Sequence, residues 1–497
     1  MTPKPLLILS DSPSCSSGLG RITRDLALRL NEHCSDIFRV GTLGYGGSGS
    51  RSLGFQQYFI EGMDNWYIPS LRDVWEDFAG TEQGIIVTIW DASRLLWFAR
   101  PTLQVGYGQF ACGDAAMREW LEKPPFERWG YFPVDAAGPN GKLSCMLREC
   151  MLGYDRVLAY SKWAEDLMRA TLGEEEAQQR DLTFLPHGID TEVFRRRPRR
   201  ESRQIFATKM GFKGTEIAPF ETLVGIVATN QERKDYGLAI QAFAELSKRV
   251  QARLFIQTDT LERRWSIPAL LIDFGLLRKA IVNCGQVTDE TMSYVYSACD
   301  VTLGIGAGEG FGYPIFESLA CETPCVTGRY GGHAEWLESD LLLTPESRRL
   351  DGCYNCYRPV YRPADWVKAI FGALDPKKKR KLPAGLAWPE LWGRWEEWFR
   401  SGQKPHLLES SQELTNSTPE TGKDESGPCR LQALDVGTPL EIHIPPEFFE
   451  PDPRLFRVHA PQEPARPPQT GAPEAPHPPA SPEATPAAQS PRDPRAR

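Results

Sequence analysis

The sequence predicts an α/β fold built from two parallel sheets, each in a domain of its own. The first observation is the length of 497 residues, which exceeds what one hydrophobic core usually organises. The second is that short apolar runs typical of buried strands alternate with helix patterns in two successive series. The third is that each series contains a glycine-rich turn between a strand and a helix, as in folds that bind ligands at strand ends.

The first series begins with a predicted buried strand at residues 5–9, followed by a loop with Gly18 and Gly20 and then a helix. Central strands are also predicted at 85–90 and 129–134, and Asp91 and Asp135 follow them directly. Acidic groups at the carboxyl ends of parallel strands face the crevice where such folds bind ligands. Both aspartates are therefore candidate site residues. The apolar face of the helix is predicted to consist of Ile22, Leu26, Leu28 and Leu30.

The second series predicts another parallel sheet that is covered by helices on both faces. A turn with the sequence ATNQERKDYG joins its first strand to a helix at 237–250 and carries Arg233 and Lys234. The predicted strands lie at 222–228, 253–257, 280–282 and 301–305.

The most informative stretch runs from 304 to 335, where glycines at alternate positions from 304 to 312 lead into a helix pattern. Such a turn favours an anion, because backbone N–H groups can approach the ligand closely and the helix N-terminus is positive. Glu309 and Glu317 bracket the turn, and each should meet a neutral part of the ligand because either would repel a nearby phosphate. This pattern suits the hydroxyls on both sides of a diphosphate in a sugar nucleotide. The glycines alone are equally consistent with an ordinary strand-to-helix turn.

A longer composite motif occupies the same stretch. Seven residues separate Glu309 from Glu317, GFG follows the first glutamate, a proline precedes the second, and TPCV and GG-x-x-E come after them. The motif resembles the donor site of retaining glycosyltransferases of the GT-B fold, glycosyltransferase family 4, and is far more specific than a short glycine pattern. Further matches to this family follow in order between about residues 5 and 400: SGLGR at 17–21, YSKW at 160–163, LPHGIDTEVF at 185–194, RKD at 233–235 and VTDETMSYVYSACD at 287–300.

The resemblance implies the GT-B architecture, in which two Rossmann-like domains face each other across a cleft. An acceptor-side domain would span residues 1–200 and a donor-side domain residues 201–385. A helix at 386–401, with its tryptophans on one face, would cross back to the first domain. The implied activity is transfer of a hexose from a nucleoside diphosphate sugar to an acceptor hydroxyl, with retention of anomeric configuration. The nucleobase, the sugar and the acceptor stay open.

The same resemblance implies roles for residues of the donor site. Arg233 and Lys234 would bind the phosphates, whereas Thr229 stands where many relatives have an arginine. Glu317 would accept hydrogen bonds from ribose hydroxyls, and backbone groups at Val287 would meet the nucleobase. The predicted donor-binding residues are Gly18, Gly20, Arg21, Arg233, Lys234, Val287, Gly310, Phe311, Gly312 and Glu317.

Glu309 and Asp135 are the predicted catalytic residues. By resemblance, Glu309 would orient the sugar in the transition state. Many relatives have a histidine in the region of Asp135, and the nearest candidates in this chain are Asp135 and Asp91. Asp135, in YFPVDAAG, is therefore expected to contact the sugar or the acceptor. The alternative is that it only caps the turn that follows.

We expect no metal and no other cofactor. Many sugar nucleotide transferases of the other major fold hold a metal with Asp-x-Asp, and no two aspartates of this chain are separated by one residue. Two alternative functions stay open: a sugar nucleotide epimerase of the same fold, and a donor-binding or scaffold protein without catalysis. Thr229 and the missing histidine favour the scaffold protein.

Composition limits other classes of function. The net charge of -8 argues against a broad basic surface for nucleic acid, and no run reaches the roughly 18 apolar residues of a membrane span. Twelve cysteines without paired zinc spacing, Cys353-x-x-Cys356 included, predict reduced thiols and a cytoplasmic location. The basic runs at 195–203 and 376–383 are predicted to be solvated, and the proline-rich tail at 402–497 is predicted to be disordered.

Overall fold

A computed structural model describes residues 2–47, 52–60, 66–106, 109–210, 217–352 and 355–401. The N-terminal strands are β1 (Lys4–Asp11), β2 (Phe38–Tyr45), β3 (Gln56–Phe59), β4 (Gly84–Thr88), β5 (Gln104–Gly106), β6 (Gln109–Phe110), β7 (Phe126–Phe132), β8 (Arg156–Ala159) and β9 (Thr183–Phe184). Seven of them form a parallel sheet in the order β3-β2-β1-β4-β7-β8-β9, and β5 and β6 form a separate antiparallel pair.

A second parallel sheet follows in the chain, as the sequence predicts. The remaining strands are β10 (Thr222–Val227), β11 (Ala252–Gln257), β12 (Ala280–Asn283), β13 (Val301–Gly304), β14 (Cys325–Gly328), β15 (Leu342–Leu343), β16 (Ser347–Asp351) and β17 (Cys356–Val360). Six of them pair in the order β12-β11-β10-β13-β14-β15, and β16 and β17 form an antiparallel hairpin. The predicted α/β class with two parallel sheets is confirmed.

Helices connect most neighbouring strands. The helices are α1 (Gly18–His33), α2 (Leu71–Ala79), α3 (Leu96–Ala99), α4 (Ala115–Glu122), α5 (Cys145–Leu152), α6 (Lys162–Leu172), α7 (Glu174–Gln179), α8 (Arg199–Lys209), α9 (Tyr236–Leu246), α10 (Ile267–Asp273), α11 (Asp289–Ala298), α12 (Tyr313–Ala320), α13 (Pro363–Ala373) and α14 (Trp388–Ser401). The Ser17 hydroxyl caps α1 by accepting from the Gly20 amide at 3.0 Å, which fixes where the first glycine loop becomes a helix. The predicted apolar face of α1 is buried except for Leu28, which is half-buried.

The last helix, α14, packs against elements of the first sheet. The Trp395 indole donates to the Pro186 carbonyl at 3.0 Å, and the Trp398 ring lies 5.0 Å from the Trp129 ring. Arg400 pairs with Asp36 at 2.7 Å. All six predicted core positions are buried: Trp388, Leu391, Trp392, Trp395, Trp398 and Phe399. The helix therefore joins the C-terminal end of the described chain to the N-terminal sheet through apolar packing, the main source of helix stability in proteins.

One continuous apolar cluster links the two sheets. Leu6 and Tyr131 of the first sheet belong to the same cluster as Phe311 and Phe316 beside the second sheet. Gly332, which follows β14, lies so close to Ser161 and the Gly310 carbonyl that a Cβ atom would collide with both. The glycine-rich loop after β13 is therefore held against the first sheet by packing as well as by polar contacts.

Most residues of the two basic runs are exposed, as predicted, but one arginine in each run has buried or half-buried contacts. In the first run, Arg203 is half-buried, donates to the Ala218 carbonyl at 2.9 Å and pairs with Asp300 at 2.9 Å. In the second, Arg380 is buried and pairs with Asp340 at 2.6 Å. Local sequence cannot reveal these partners, because the paired acidic residues lie 97 and 40 positions away along the chain.

The nine described cysteines other than Cys356 are free thiols. Within the described ranges, no helix is long and apolar enough to cross a membrane, and no group of three or more His, Cys, Asp or Glu side chains has a metal-binding arrangement. Cys353 and the proline-rich residues 402–497 lie outside the described residues.

Candidate functional site

The glycine-rich loop between β13 and α12 approaches the first sheet closely. Gly308 has a φ of 117°, and a Cβ atom on it would collide with the Asp135 carbonyl oxygen. Gly312 has a φ of 89° in the left-handed region and directly precedes α12. Both positions need glycine, the first for close approach as well as conformation and the second for conformation.

The loop presents free backbone donors at the start of α12. No backbone carbonyl in the described part of the chain accepts a hydrogen bond from the amides of Gly310, Phe311 or Gly312. Gly312 has no side chain to cap the helix, and a proline without an N–H lies in the first turn. The Phe311 ring is buried and lies 4.0 Å from the His187 ring, which fixes the loop. These amides and the helix dipole form a site that favours an anion.

Glu309 is buried within this loop and is paired with two cations. Arg233 lies 3.0 Å from one carboxylate oxygen, and Lys234 contacts the other. Burial alone would raise the pKa of Glu309, but the charges of Arg233 and Lys234 outweigh it and hold the pKa at about 2. Glu309 is therefore ionised at neutral pH.

Arg233 and Lys234 reach Glu309 because their turn pairs with the glycine loop. The Ala307 amide donates to the Arg233 carbonyl at 2.7 Å, and the Asp235 amide donates to the Ile305 carbonyl at 3.0 Å. The Arg233 guanidinium also donates to the Gly308 carbonyl at 3.1 Å. Burial and the neighbouring Arg233 lower the pKa of Lys234 against the opposing effect of Glu309.

Glu317 is buried on α12 and meets an arginine from the first sheet's side of the cleft. Arg21 on α1 contacts its carboxylate and also pairs with Asp289 at 2.6 Å. The Tyr296 hydroxyl donates to Glu317 at 2.7 Å. The two predicted glutamates thus precede and follow the free amides along the chain, and they are paired with different cations.

The remaining predicted donor residues lie beside this group. Gly18 is exposed, and a Cβ on it would lie 3.8 Å from the Tyr313 ring at the start of α12. Gly20 leaves no room for a side chain, since a Cβ would come within 2.6 Å of the Ser12 carbonyl. Val287 lies two residues before Asp289, the partner of Arg21, and Thr229 is exposed. The structure brings Gly18, Arg21 and Glu317 together at the start of α12, and Arg233 and Lys234 together at Glu309. The roles of the whole predicted donor set stay predictions.

Asp135 follows β7 of the first sheet and lies beside the glycine-rich loop, at Gly308. Its side chain is 31% exposed, and it pairs with Arg233 at 3.2 Å. Arg358 on β17 is a second partner at 3.2 Å. Asp135 therefore shares Arg233 with Glu309, so the two predicted catalytic carboxylates belong to one charged network.

Arg358 is the principal cleft residue that the sequence analysis missed. It is buried and donates to the carbonyls of Asp135 at 3.3 Å and Ala307 at 3.2 Å, which ties the first sheet's edge to the glycine loop. The Tyr357 amide beside it donates to the Ala137 carbonyl at 2.8 Å. No sequence motif predicts these contacts, because they depend on the pairing register of β16 and β17 and on where the hairpin packs, not on the spacing of residues in the sequence.

His187 and Glu335 lie within motifs that match the family, but no role was predicted for either residue. His187 lies 3.0 Å from the Tyr131 hydroxyl, and burial lowers its pKa well below the usual value, so the ring is neutral. Glu335 accepts from the amides of Lys162 at 3.1 Å and Trp163 at 3.0 Å, at the start of α6. Burial raises the pKa of Glu335 to about 7. The contacts of Glu335 join the part of the chain around the second sheet to the part around the first, whereas the contact between His187 and Tyr131 lies within the first.

Comparisons with known proteins agree with this architecture. Residues 221–351, about a quarter of the chain, match the family model described as glycosyl transferases group 1. No curated protein matches the sequence. Sucrose-phosphate synthase from Thermosynechococcus elongatus has a similar structure, with a TM-score of 0.58 and 15% identity over 80% of this chain and 98% of that chain.

Two further solved structures are similar over most of the chain. Anabaena HepE in complex with UDP has a TM-score of 0.55 and 14% identity, over 80% of this chain and 100% of that chain. Trehalose 6-phosphate synthase from Burkholderia multivorans has a TM-score of 0.52 and 13% identity, over 80% of this chain and 95% of that chain. At these identities the similarity shows the fold. The chain therefore has the GT-B fold, and its residues 221–351 are similar to the group 1 glycosyl transferases.

Proposed function

We propose that this protein is a retaining hexosyltransferase of family 4 that uses a nucleoside diphosphate sugar and no metal cofactor. The observation that carries the proposal is the set of free amides at 310–312 between two buried glutamates that are each matched by cations. A diphosphate at the amides would have Glu317 and Glu309 on opposite sides. Glu317 would then accept from ribose hydroxyls, and Glu309 from hydroxyls of the transferred sugar.

The cations near the loop would stabilise the departing diphosphate. Arg233 and Lys234 pair with Glu309, and Arg21 pairs with Glu317, so all three lie at the site before a donor arrives. A diphosphate would draw these cations partly toward its own oxygens and leave both glutamates free to accept from hydroxyls. Preorganised charge of this kind stabilises a leaving group without a cost of reorganisation at the moment of reaction.

The reaction needs few proton transfers from the protein. The bond from the anomeric carbon to the diphosphate oxygen breaks, and its electron pair stays with the diphosphate. The acceptor oxygen forms the new bond, and its proton passes to the departing diphosphate oxygen. Positioning in a closed cleft then supplies most of the rate enhancement.

One comparison supports the class of donor. The HepE structures of Anabaena contain UDP, UDP with glucose, or UDP-glucose, and they share the fold over 78% or more of this chain. A hexose on a nucleoside diphosphate is therefore the first donor class to test. The base and the sugar stay to be identified.

A donor screen followed by product analysis tests the proposal. Thermal shift against nucleoside diphosphate sugars should identify a ligand, since a compound that binds only the folded state raises the melting temperature. Incubation of that donor with an acceptor mixture should then give nucleoside diphosphate and a glycoside, and NMR should show the donor's anomeric configuration in the product. A free epimerised sugar nucleotide would establish the epimerase instead. Donor binding without any product would establish a non-catalytic protein.

A further inference from the structure

The carboxyl end of the first sheet holds a second group of side chains that the proposed donor contacts do not use. Asp11 ends β1, Tyr45 ends β2, Asp91 follows β4 and Tyr160 follows β8 directly. These strands are adjacent or nearly so in the sheet, so their ends lie along one edge. That edge faces the glycine loop, because a Cβ on Gly310 would lie 3.4 Å from the Tyr160 ring.

The Tyr160 hydroxyl is buried and lacks a hydrogen-bond partner among the described residues. Burial raises the pKa of Tyr160 well above its usual value, and the charges of Asp91 and Asp11 add to the effect. The hydroxyl therefore keeps its proton and lies close enough to both aspartates to sense their charge. A buried hydroxyl without a partner is costly, and a ligand that supplies one removes that cost.

The two aspartates are available to accept hydrogen bonds. Asp91 is 46% exposed and pairs with Arg94 at 3.3 Å. Asp11 is held by neutral donors, the Ser17 hydroxyl at 2.5 Å and the Trp90 indole at 2.9 Å. A carboxylate can accept several hydrogen bonds, so both retain capacity for a ligand's hydroxyls.

Aromatic rings lie beside these polar groups. The Trp66 ring lies 5.7 Å from the Trp90 ring and 6.1 Å from the Tyr45 ring, and the Arg94 guanidinium lies over it at 3.8 Å. Tyr45 is 44% exposed, so part of its ring is open to a ligand. Trp66 has a φ of 70°, a strained conformation for a bulky side chain, and strain of this kind clusters at functional sites.

We propose that these residues form the acceptor subsite of the transferase proposed above, and that its acceptor is an uncharged sugar or glycoside. The apolar face of a sugar ring would lie on Trp66 and Tyr45, as in sites lined by aromatic side chains with a few polar groups. Its hydroxyls would donate to Asp91 and Asp11 and accept from Tyr160. A phosphorylated sugar is disfavoured, because Asp11 and Asp91 would repel it and Arg94 is the one cation among the described contacts of these two carboxylates.

Matched acceptors test this inference once the donor is known. The full-length protein is incubated with the donor and either methyl hexosides or the corresponding hexose 6-phosphates, and product and nucleoside diphosphate are both measured. We expect kcat/KM for a methyl hexoside to exceed that for its 6-phosphate counterpart by about 10-fold or more. Asp91→Asn should reduce this ratio, because it removes one of the repelling charges.

Tyr160→Phe and Tyr45→Ala should each raise the acceptor KM by about 10-fold, while calorimetry shows unchanged donor affinity. Tyr58→Phe is the matched control, since Tyr58 lies on the edge strand β3 and its hydroxyl is paired with Asp77. Melting temperatures of all variants establish that they are folded. Preference for the 6-phosphates, or unchanged acceptor KM in both variants, overturns this inference and leaves the transferase intact. Absence of donor binding in the wild-type protein overturns the transferase and the subsite together.

Discussion

The proposed donor side and the proposed acceptor side of the cleft differ in how their charged groups are paired. On the donor side, Glu309 and Glu317 are both buried and each is matched by cations from a different part of the chain. On the acceptor side, Asp11 is held by neutral donors and the Tyr160 hydroxyl has no partner in the described residues. A charged ligand can exchange partners within the first group, whereas an uncharged ligand with hydroxyls complements the second.

The largest expected effect is on turnover when the charge of Glu309 is removed. Glu309→Gln keeps the shape of the side chain but removes the paired carboxylate of Lys234, leaves Arg233 with Asp135 alone, and weakens the contact to the sugar in the transition state. We expect kcat to fall by about 100-fold, with a much smaller change in donor Kd. Steady-state kinetics and calorimetric titration check this split. Glu245→Gln, on a pair with Lys248 away from the cleft, is the control, and equal efficiency in Glu309→Gln and wild type would remove Glu309 from catalysis.

A smaller effect is expected on donor affinity when a donor-side cation or ribose acceptor is lost. Lys234→Ala and Glu317→Ala should each raise the donor Kd by about 10-fold, the usual value of one charge-assisted hydrogen bond. Lys248→Ala is the control, because Lys248 is 67% exposed in the turn after α9 and pairs with Glu245 at the end of that helix. Calorimetry that gave wild-type affinity in both cleft variants would place the donor elsewhere.

These two sides also differ in how far the sequence could predict them. Glu309 and Glu317 lie on one loop and the helix that follows, so their spacing in sequence fixes their spacing in space. The turn with Arg233 and Lys234 pairs with the same loop, and its RKD motif was recognisable. The alternation of strands and helices similarly predicted both sheets.

Asp91 and Asp135 were predicted from their places after strands, but Asp11, Tyr160 and Arg358 were not, because their geometry depends on long-range pairing. Asp11 and Tyr160 are far apart in sequence and meet only because the sheet order brings their strand ends to one edge. Arg358 reaches Asp135 across 223 residues through the register of a hairpin. The same limit explains why Arg203 and Arg380 were predicted to be solvated, since their acidic partners are distant in the chain.

Glu335 gives a second comparison, because its pKa is raised whereas the pKa of Glu309 is lowered. Burial acts in the same direction on both carboxyls, but Glu309 is paired with two cations. The pKa of Glu335 is about 7 in the folded protein, above the usual value, since burial outweighs the two backbone N–H donors at α6. The folded state thus binds this proton more tightly than the unfolded chain. The stability that Glu335 contributes is fully present below its ordinary pKa of about 4.5 and is lost as pH rises through about 7.

Glu335→Gln should therefore raise the melting temperature by about 2–4 °C at pH 8 and leave it unchanged at pH 5. The glutamine oxygen can still accept from the Lys162 and Trp163 amides, and the neighbouring charges of Lys162 and Asp166 are unchanged. Scanning calorimetry at both pH values checks this expectation, with Glu322→Gln as an exposed control. The same increase at both pH values would assign the effect to packing rather than to the proton.

The smallest expected effect is that of metal removal on activity. In the proposed mechanism the diphosphate meets the amides of 310–312, the N-terminus of α12 and the cations Arg21, Arg233 and Lys234. These groups supply the charge that a divalent ion would otherwise supply. Transfer rates in excess EDTA should therefore equal those with added magnesium or manganese. If EDTA abolished transfer and either ion restored it, Glu309 and Glu317 would have to be reassigned as metal ligands, and the cations beside them as groups that tune the metal site.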